Sequence, residues 1–214
     1  RLVYWCKAPA YCDDLPQHHT RYSVACYKEA SRVNYATIKY CDIANGTGVR
    51  TSLFVSGCRR HCPECFNAVA WDFGYGLPFD KAVRNEILGS LAPDYIDGLS
   101  LLGGEPFEPE NQRALVPLLH EVRVLYPHKT IWCYTGNVYE TELLQPSHAH
   151  CEVTDEMLSL IDVLVDGEFI PAQHDISLRF RGSGNQRIID MNATRAAGHT
   201  VLWQDDPLFA DHKM

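Results

Sequence analysis

Three cysteines, Cys58, Cys62 and Cys65, follow a short apolar run at residues 53–55 and are separated by three and then two residues. Thiolates this close together usually bind a metal, because one loop can direct all three sulfurs toward one centre. A cluster of four irons held by three thiolates keeps one iron open to an outside ligand, whereas tetrahedral zinc needs a fourth ligand. The spacing alone leaves both alternatives open. A structural zinc could take its fourth donor from His61, Cys41, Cys133 or Cys151.

The composition predicts one globular domain with a substantial core, since 46% of the 214 residues are hydrophobic and 21% are charged. A formal charge of −8 argues against nucleic-acid or membrane partners, whose surfaces need clustered Lys and Arg. The pair Arg59-Arg60 is too short to count as a basic patch. With neither a long apolar span nor a signal peptide in the sequence, the odd number of nine cysteines favours a reducing compartment. We therefore expect a cytoplasmic protein.

Residues 1–33 lack helical or strand periodicity, and we treat them as an unassigned N-terminal tail that precedes a domain at residues 34–214. Cys6, Cys12 and Cys26 match no ligand spacing, so free thiols are expected there. Because the first methionine of the chain is Met157, one hypothesis is that Val33 marks the true start, read from a non-standard codon.

From residue 34 onward, strand-like and helix-like segments alternate, which is the pattern of a parallel sheet covered by helices. Strands are predicted at residues 37–41, 51–56, 99–102, 130–134, 163–165, 178–180 and 200–203. A complete eight-unit barrel takes about 250 residues, so this length predicts an α/β fold with a partial (β/α) barrel that is open on one side.

Three helices are predicted between these strands. Asp80 should cap a helix over residues 80–91, and Thr154 should cap one over residues 154–160. Between them lies an amphipathic helix in which Pro117 should cause a kink or start the regular part. Its apolar face is formed by Leu115, Leu118, Leu119, Val122 and Leu125.

Each polar or glycine-rich motif comes directly after a predicted strand. These motifs are the loop at residues 58–65, called here the cysteine loop, and residues 103–106, 135–136, 166–167 and 181–187. In parallel α/β folds the carboxyl ends of the strands form the edge where ligands bind. We therefore expect the motifs to converge at one edge of the sheet, an arrangement that a structural zinc would not need.

The cysteine loop after the first buried strand, together with Gly-Gly-Glu-Pro after the second, resembles the radical S-adenosylmethionine superfamily. Within that superfamily the chain is similar to the family of activating proteins of anaerobic ribonucleoside-triphosphate reductase. The segments that carry this likeness are residues 34–40, 53–58, 65–67, 70–72 and 185–190. The resemblance extends from Asn34 to the region of Trp203.

This resemblance implies a 4Fe-4S cluster on Cys58, Cys62 and Cys65, with the amino and carboxylate groups of S-adenosylmethionine on the open iron. One electron then cleaves the sulfonium, and the 5′-deoxyadenosyl radical takes a hydrogen atom from a glycine of the large reductase subunit. The implied partners are that subunit and a low-potential electron donor such as flavodoxin.

The same resemblance implies a group of residues that bind S-adenosylmethionine: Gly103, Gly104, Glu105, Pro106, Thr135, Asn185 and Arg187. The glycines would let backbone carbonyls approach the ligand's ammonium, Glu105 would add an acceptor, and Pro106 would fix the turn. Each residue also has a purely structural alternative. The two glycines could form only a tight βα turn, Arg187 could brace a loop, and Asn185 could hold its own turn. The polar groups of Thr135 and Asp166 could be satisfied by local hydrogen bonds.

A few further expectations concern single residues. Glu64 stands where the superfamily often has an aromatic residue against the adenine, which leaves the source of that contact open. His61 is expected to face solvent, and Cys41 and Cys133 to pack as small apolar side chains.

Two other functions remain possible from the sequence. One is a different radical enzyme, either the activator of another glycyl-radical enzyme such as pyruvate formate-lyase or an enzyme of small molecules. The other is a non-catalytic iron–sulfur or zinc module.

Overall fold

The computed structural model describes residues 33–205, so residues 1–32 of the predicted N-terminal tail, with Cys6, Cys12 and Cys26, lie outside the described residues. The fold is mixed α/β, as the sequence predicts. The strands are β1 (Asn34–Asp42), β2 (Arg50–Val55), β3 (Leu77–Pro78), β4 (Gly98–Gly103), β5 (Thr130–Tyr134), β6 (Val163–Asp166) and β7 (Arg187–Asp190). The helices are α1 (Lys81–Ser90), α2 (Pro109–Leu125), α3 (Thr154–Ser159) and α4 (Met191–Ala197).

All seven strands form one sheet in the order β3-β1-β2-β4-β5-β6-β7. The four central strands, β2, β4, β5 and β6, are parallel, whereas β1, β3 and β7 each pair antiparallel with a neighbour. The expectation of a parallel sheet is therefore confirmed for the four central strands and wrong at both edges. The reason is the connections: a parallel pair needs a long crossover, but only a short turn joins β1 to β2, and no α-helix lies between β6 and β7.

Two of the predicted strands are wrong. Residues 178–180 lie in turns, and Phe180 has a φ of +58°, a left-handed conformation that interrupts an extended strand. The strand that follows is β7 instead. Residues 200–203 form only an isolated bridge, in which Leu202 pairs with Ile189.

The predicted helices are present, with two corrections at single residues. The side chain of Asp80 accepts a hydrogen bond from the Val83 N–H and caps α1 as expected. Val153, not Thr154, is the N-cap of α3, and the Thr154 hydroxyl bonds to the Gln112 side chain instead. Pro117 lies inside α2, which begins eight residues earlier at Pro109, so Pro117 does not start its regular part.

The main core lies between the helices and one face of the sheet. Alternate strand residues, including Leu53, Leu101 and Ile131, pack there against Leu118 of α2 and Met157 of α3. The opposite face carries a smaller cluster of aromatic and aliphatic side chains, formed by Trp132, Val163, Val165, Tyr134, Phe180, Ile188 and Trp203. None of the helices in residues 33–205 has the length and apolar character needed to cross a bilayer.

The strand register brings the predicted motifs to one edge of the sheet. Val55, the last residue of β2, lies three residues before Cys58 and pairs with Gly103. Tyr134 pairs with Val165. Because β7 runs antiparallel, it is the first residue of this strand, Arg187, that reaches the same edge, where it pairs with Asp166.

Candidate functional site

The cysteine loop is anchored at its start to the segment that follows its last cysteine. Gly57 N–H donates to the Ala70 carbonyl at 2.8 Å, and Cys58 N–H donates to the Trp71 carbonyl at 3.1 Å. Gly57 has a φ of +93°, and a Cβ at this position would come within 2.3 Å of the Phe73 ring. Only glycine fits here, so the backbone entering the loop is fixed by both conformation and close packing.

The three predicted ligands lie in this one loop but differ in exposure: Cys58 is buried, and Cys62 and Cys65 are partly buried. Burial, followed by the charge of Glu105, raises the pKa of the Cys58 thiol to about 11. Burial, followed by Glu168, raises the pKa of Cys62. Over residues 33–205, no three or more His, Cys, Asp or Glu side chains are gathered in a position to hold a metal ion.

The donor chemistry nevertheless fits an iron–sulfur cluster. Three soft sulfur donors share one loop, and the backbone N–H groups of Arg60 and His61 act to lower the pKa of the Cys58 thiol against the larger effect of burial. The N–H of Phe169 acts on Cys62 in the same way. Hydrogen bonds to the sulfurs are among the interactions by which proteins adjust such clusters.

The residues considered as a fourth donor for a structural zinc lie in different surroundings. Cys133 is fully buried in β5 as expected, whereas Cys41 is exposed, so the prediction that it packs as an apolar side chain is wrong. His61 is exposed, as expected, and stacks on Trp71 with ring centroids 4.6 Å apart.

Arg59 connects the cysteine loop to the start of α2. Its backbone N–H donates to Glu108 at 2.6 Å, and its guanidinium forms ion pairs with Glu108 and Glu110. The guanidinium also lies 4.4 Å from the centre of the Phe73 ring. Arg59 thus holds the cysteine loop against the start of α2 and is not part of a basic surface.

Arg60 connects the same loop to the segment after β5. Its guanidinium donates to the Asn137 side chain at 2.9 Å and forms ion pairs with Glu142 and, at 3.9 Å, with Glu168. The aliphatic part of Arg60 covers Gly136. Sequence reasoning missed both tethers, and the only available signal was the position of two arginines inside the cysteine loop.

The Gly-Gly-Glu-Pro motif lies directly against the base of the cysteine loop. Gly104 N–H donates to the Val55 carbonyl at 2.7 Å, and Glu105 N–H donates to the Gly57 carbonyl at 2.8 Å. A Cβ at Gly104 would come within 2.5 Å of the Gly57 oxygen, which leaves no room for a larger residue. The two motifs therefore form one packed unit at the ends of β2 and β4.

Glu105 is buried and holds the neighbouring strand end in place. Its carboxylate accepts hydrogen bonds from the Thr135 hydroxyl, the Gly136 N–H and the Phe107 N–H, at 2.8, 2.8 and 2.9 Å. Burial outweighs these three bonds and raises the pKa of Glu105 to about 7. Thr135 also accepts from Asn137, so its polar group is satisfied locally, as one of the sequence alternatives has it.

The remaining two predicted ligand-binding residues hold the edge near β7. Asn185 donates to the Glu168 carbonyl at 2.8 Å and accepts from Ser183. Arg187 forms ion pairs with Glu140 and with the buried Asp166, which corresponds to the bracing alternative. Hydrogen bonding to Arg187 lowers the pKa of Glu140 to about 2.

An open pocket of about 580 Å³ borders the cysteine loop, and sequence reasoning did not identify it. Its size lies within the range typical of small-ligand sites. It is lined by Cys58, Arg59, His61, Ala68, Val69, Trp71, Asp72 and Phe73. The pocket thus gives access from the surface to the most buried of the three cysteines.

Residues 44–189 match the family described as "4Fe-4S single cluster domain". The chain is 41% identical over 156 residues to a protein of Escherichia coli (strain K12), covering 72% of this chain and 96% of that one. It is 40% identical to a protein of Haemophilus influenzae, with coverages of 73% and 97%, and 36% identical to one of Enterobacteria phage T4, with coverages of 73% and 93%. Each of these relatives is named anaerobic ribonucleoside-triphosphate reductase-activating protein.

Proposed function

The chain belongs to the family of anaerobic ribonucleoside-triphosphate reductase-activating proteins, and from this premise we propose how it activates the reductase. It is an iron–sulfur enzyme of the oxidoreductase class. In the proposed reaction, one electron cleaves S-adenosylmethionine to methionine and a 5′-deoxyadenosyl radical. The radical takes a hydrogen atom from a glycine of the large reductase subunit, which leaves 5′-deoxyadenosine and a glycyl radical.

The observation that carries this proposal is the position of the three cysteines. Cys58, Cys62 and Cys65 lie in a loop at the carboxyl end of β2, within the region that matches a 4Fe-4S single cluster domain. A 4Fe-4S cluster held by these thiolates would supply one electron at low potential and one iron open to the amino and carboxylate groups of S-adenosylmethionine. Arg59 joins the loop to the start of α2, and Arg60 joins it to the segment after β5.

The residues that would bind S-adenosylmethionine are also part of the proposal. Support is strongest for Gly103, Gly104, Glu105 and Pro106, because backbone hydrogen bonds join Gly104 and Glu105 to Val55 and Gly57 at the base of the loop. Thr135 joins this group through Glu105. We place Asn185 and Arg187 farther out, where their hydrogen bonds shape the edge of the site.

Several broader expectations belong to the same proposal. We take residues 34–214 as the radical S-adenosylmethionine domain, with the partial (β/α) barrel of that type, open on one side, as the architecture of its sheet. A low-potential donor such as flavodoxin would supply the electron, and the protein would act in the cytoplasm.

Anaerobic reconstitution with iron and sulfide, followed by reduction in the presence of S-adenosylmethionine, tests the proposal. The isolated chain should release 5′-deoxyadenosine slowly, and adding the large reductase subunit should produce a glycyl radical detectable by electron paramagnetic resonance. A radical formed only on a different partner, such as pyruvate formate-lyase, would contradict the proposal. So would turnover of a small molecule by the chain alone.

A further inference from the structure

Two exposed apolar side chains lie beside the cysteine loop. Phe66 directly follows the last cysteine and is 84% exposed, and Val69 is 58% exposed and lines the pocket that reaches Cys58. Single exposed apolar residues are common, but these two belong to one short segment beside the pocket that reaches Cys58. We therefore expect a bound partner to cover both side chains when the protein is active.

The local structure keeps this segment in a fixed orientation. The short 3-10 helix Ala68–Trp71 buries only Ala70, and the carbonyls of Ala70 and Trp71 hold the start of the cysteine loop. The inward side of the segment is thus used for anchoring. Phe66 and Val69 remain on the outside, and no refolding is needed to present them to a partner.

The charges next to this surface indicate the chemistry of the partner. Glu64 and Asp72 flank the segment and are exposed. Arg59, which lines the same pocket, is already paired with Glu108 and Glu110. The surface is therefore apolar with acidic neighbours, and it is complementary to an apolar segment that carries Lys or Arg.

We propose that Phe66 and Val69 form the contact surface for the large reductase subunit, next to the glycine that is to be oxidised. This inference rests on the proposed function. A partner segment that enters the pocket toward Cys58 must pass Val69, and covering Phe66 at the same time would exclude water from a primary carbon radical. The partner segment should contain apolar side chains flanked by at least one basic residue.

The experiment compares three variants of the full reconstituted chain: Phe66→Ser, Phe66→Leu and, as a matched control, Val124→Ser. Val124 is 77% exposed near the end of α2, about 20 Å along the helix from Glu110, to which the cysteine loop is tethered. Three quantities are measured: the Kd for the large reductase subunit, 5′-deoxyadenosine release without that subunit, and the glycyl radical yield. Dithionite serves as reductant in the main assay, and a repeat with flavodoxin and a measurement of self-association test two other possible partners of this surface.

Phe66→Ser should raise the Kd about tenfold or more and lower the radical yield at limiting enzyme, as expected when an aromatic anchor is lost. Phe66→Leu should stay within about threefold of the unaltered protein, and Val124→Ser should bind normally. Release of 5′-deoxyadenosine without the subunit should be the same in all four proteins. The Kd of the unaltered protein should also rise with salt concentration.

Other outcomes would overturn the inference. A normal Kd for Phe66→Ser would show that the reductase binds elsewhere, and a change only in self-association would assign the surface to a second copy of the chain. A defect seen only with flavodoxin as reductant would assign it to the electron donor, and slower cleavage without the reductase subunit would place Phe66 in the cofactor site. If the unaltered protein forms no glycyl radical on the reductase, the proposed function itself fails, and this inference fails with it.

Discussion

Arg60 lies across Gly136 so closely that a Cβ on Gly136 would come within 2.5 Å of the Arg60 Cδ. The absence of a side chain at residue 136 is thus what allows the cysteine loop to reach the end of β5. The contact joins two residues that are 76 positions apart in the sequence. Each of the two residues can be substituted separately.

Gly136→Ala should displace Arg60 from Asn137 and Glu142, because a long side chain moves more easily than the backbone. We expect the free energy of unfolding to fall by about 1.5–3 kcal/mol, the range for losing a hydrogen bond to a charged group. Iron should also be lost faster to a chelator. Urea unfolding and chelator challenge measure the two effects.

The control for this prediction is Gly89→Ala in α1, where an added Cβ meets no atom within 4 Å. This change should raise the free energy of unfolding by about 0.5–1 kcal/mol, since alanine favours a helix. Arg60→Ala should mimic Gly136→Ala, and the double variant should be little worse than either single one. Fully additive losses would mean that the two residues act independently.

Replacing Cys58, Cys62 or Cys65 individually with alanine should abolish cleavage of S-adenosylmethionine, because three thiolates are the fewest that hold the cluster with one open iron. Iron and sulfide analysis, together with 5′-deoxyadenosine release, measures the loss. Cys151→Ala, outside the loop, should keep about four irons and four sulfides per chain. Retained cleavage in any of the three loop variants would refute the ligand assignment.

Gly104→Val should lower both iron content and affinity for S-adenosylmethionine. From the sequence alone one expects only the affinity to fall, since the glycine is assigned to ligand approach. The structure changes this expectation, because a Cβ at Gly104 would meet the Gly57 oxygen at 2.5 Å and push on the residue that precedes Cys58. Iron analysis after reconstitution, together with equilibrium dialysis of S-adenosylmethionine, distinguishes the two expectations. Normal iron content with weak binding would favour the simpler expectation.

Glu105 should make the stability of the iron-free protein depend on pH. Burial raises its pKa from an ordinary value of 4.5 to about 7, so between these values the folded protein keeps a proton that the unfolded chain releases. The stabilisation is complete below about pH 4.5 and is lost as the pH rises through 7. At about 1.4 kcal/mol per pH unit, the total loss is about 3 kcal/mol.

Urea unfolding of the iron-free protein at pH 5 and pH 8 tests this prediction. The difference in unfolding free energy between the unaltered protein and Glu105→Gln should be larger at pH 5 than at pH 8. Glu152→Gln is the control, because pairing with Arg113 lowers the pKa of the exposed Glu152 to about 2, and its ionisation does not change in this window. An equal difference at both pH values would mean that Glu105 does not titrate there.

Sequence reasoning predicted the elements whose signal is local. The apolar run of β2, the spacing of Leu115, Leu118 and Leu119 in α2, and the cap at Asp80 each depend on a few neighbouring residues. It failed at residues 178–180, because β-propensity there does not reveal that Phe180 adopts a left-handed conformation.

The tethers of the cysteine loop could not be predicted in the same way. Arg59 and Arg60 look like an isolated basic pair, and their partners Glu108 and Asn137 lie 49 and 77 residues away. No local pattern indicates such pairs, because they arise only when the strand order brings distant loops to one edge of the sheet. The convergence of the motifs could be predicted, but the contacts that fix it could not.

The burial of Cys58 affects how the iron-free protein behaves in air. Oxidants react with the thiolate form of cysteine, not with the thiol. With a pKa of about 11, only on the order of one Cys58 in ten thousand is a thiolate at pH 7. Burial should therefore slow the formation of sulfenic acid and of disulfides at Cys58 when the iron-free protein is handled in air, relative to an exposed cysteine.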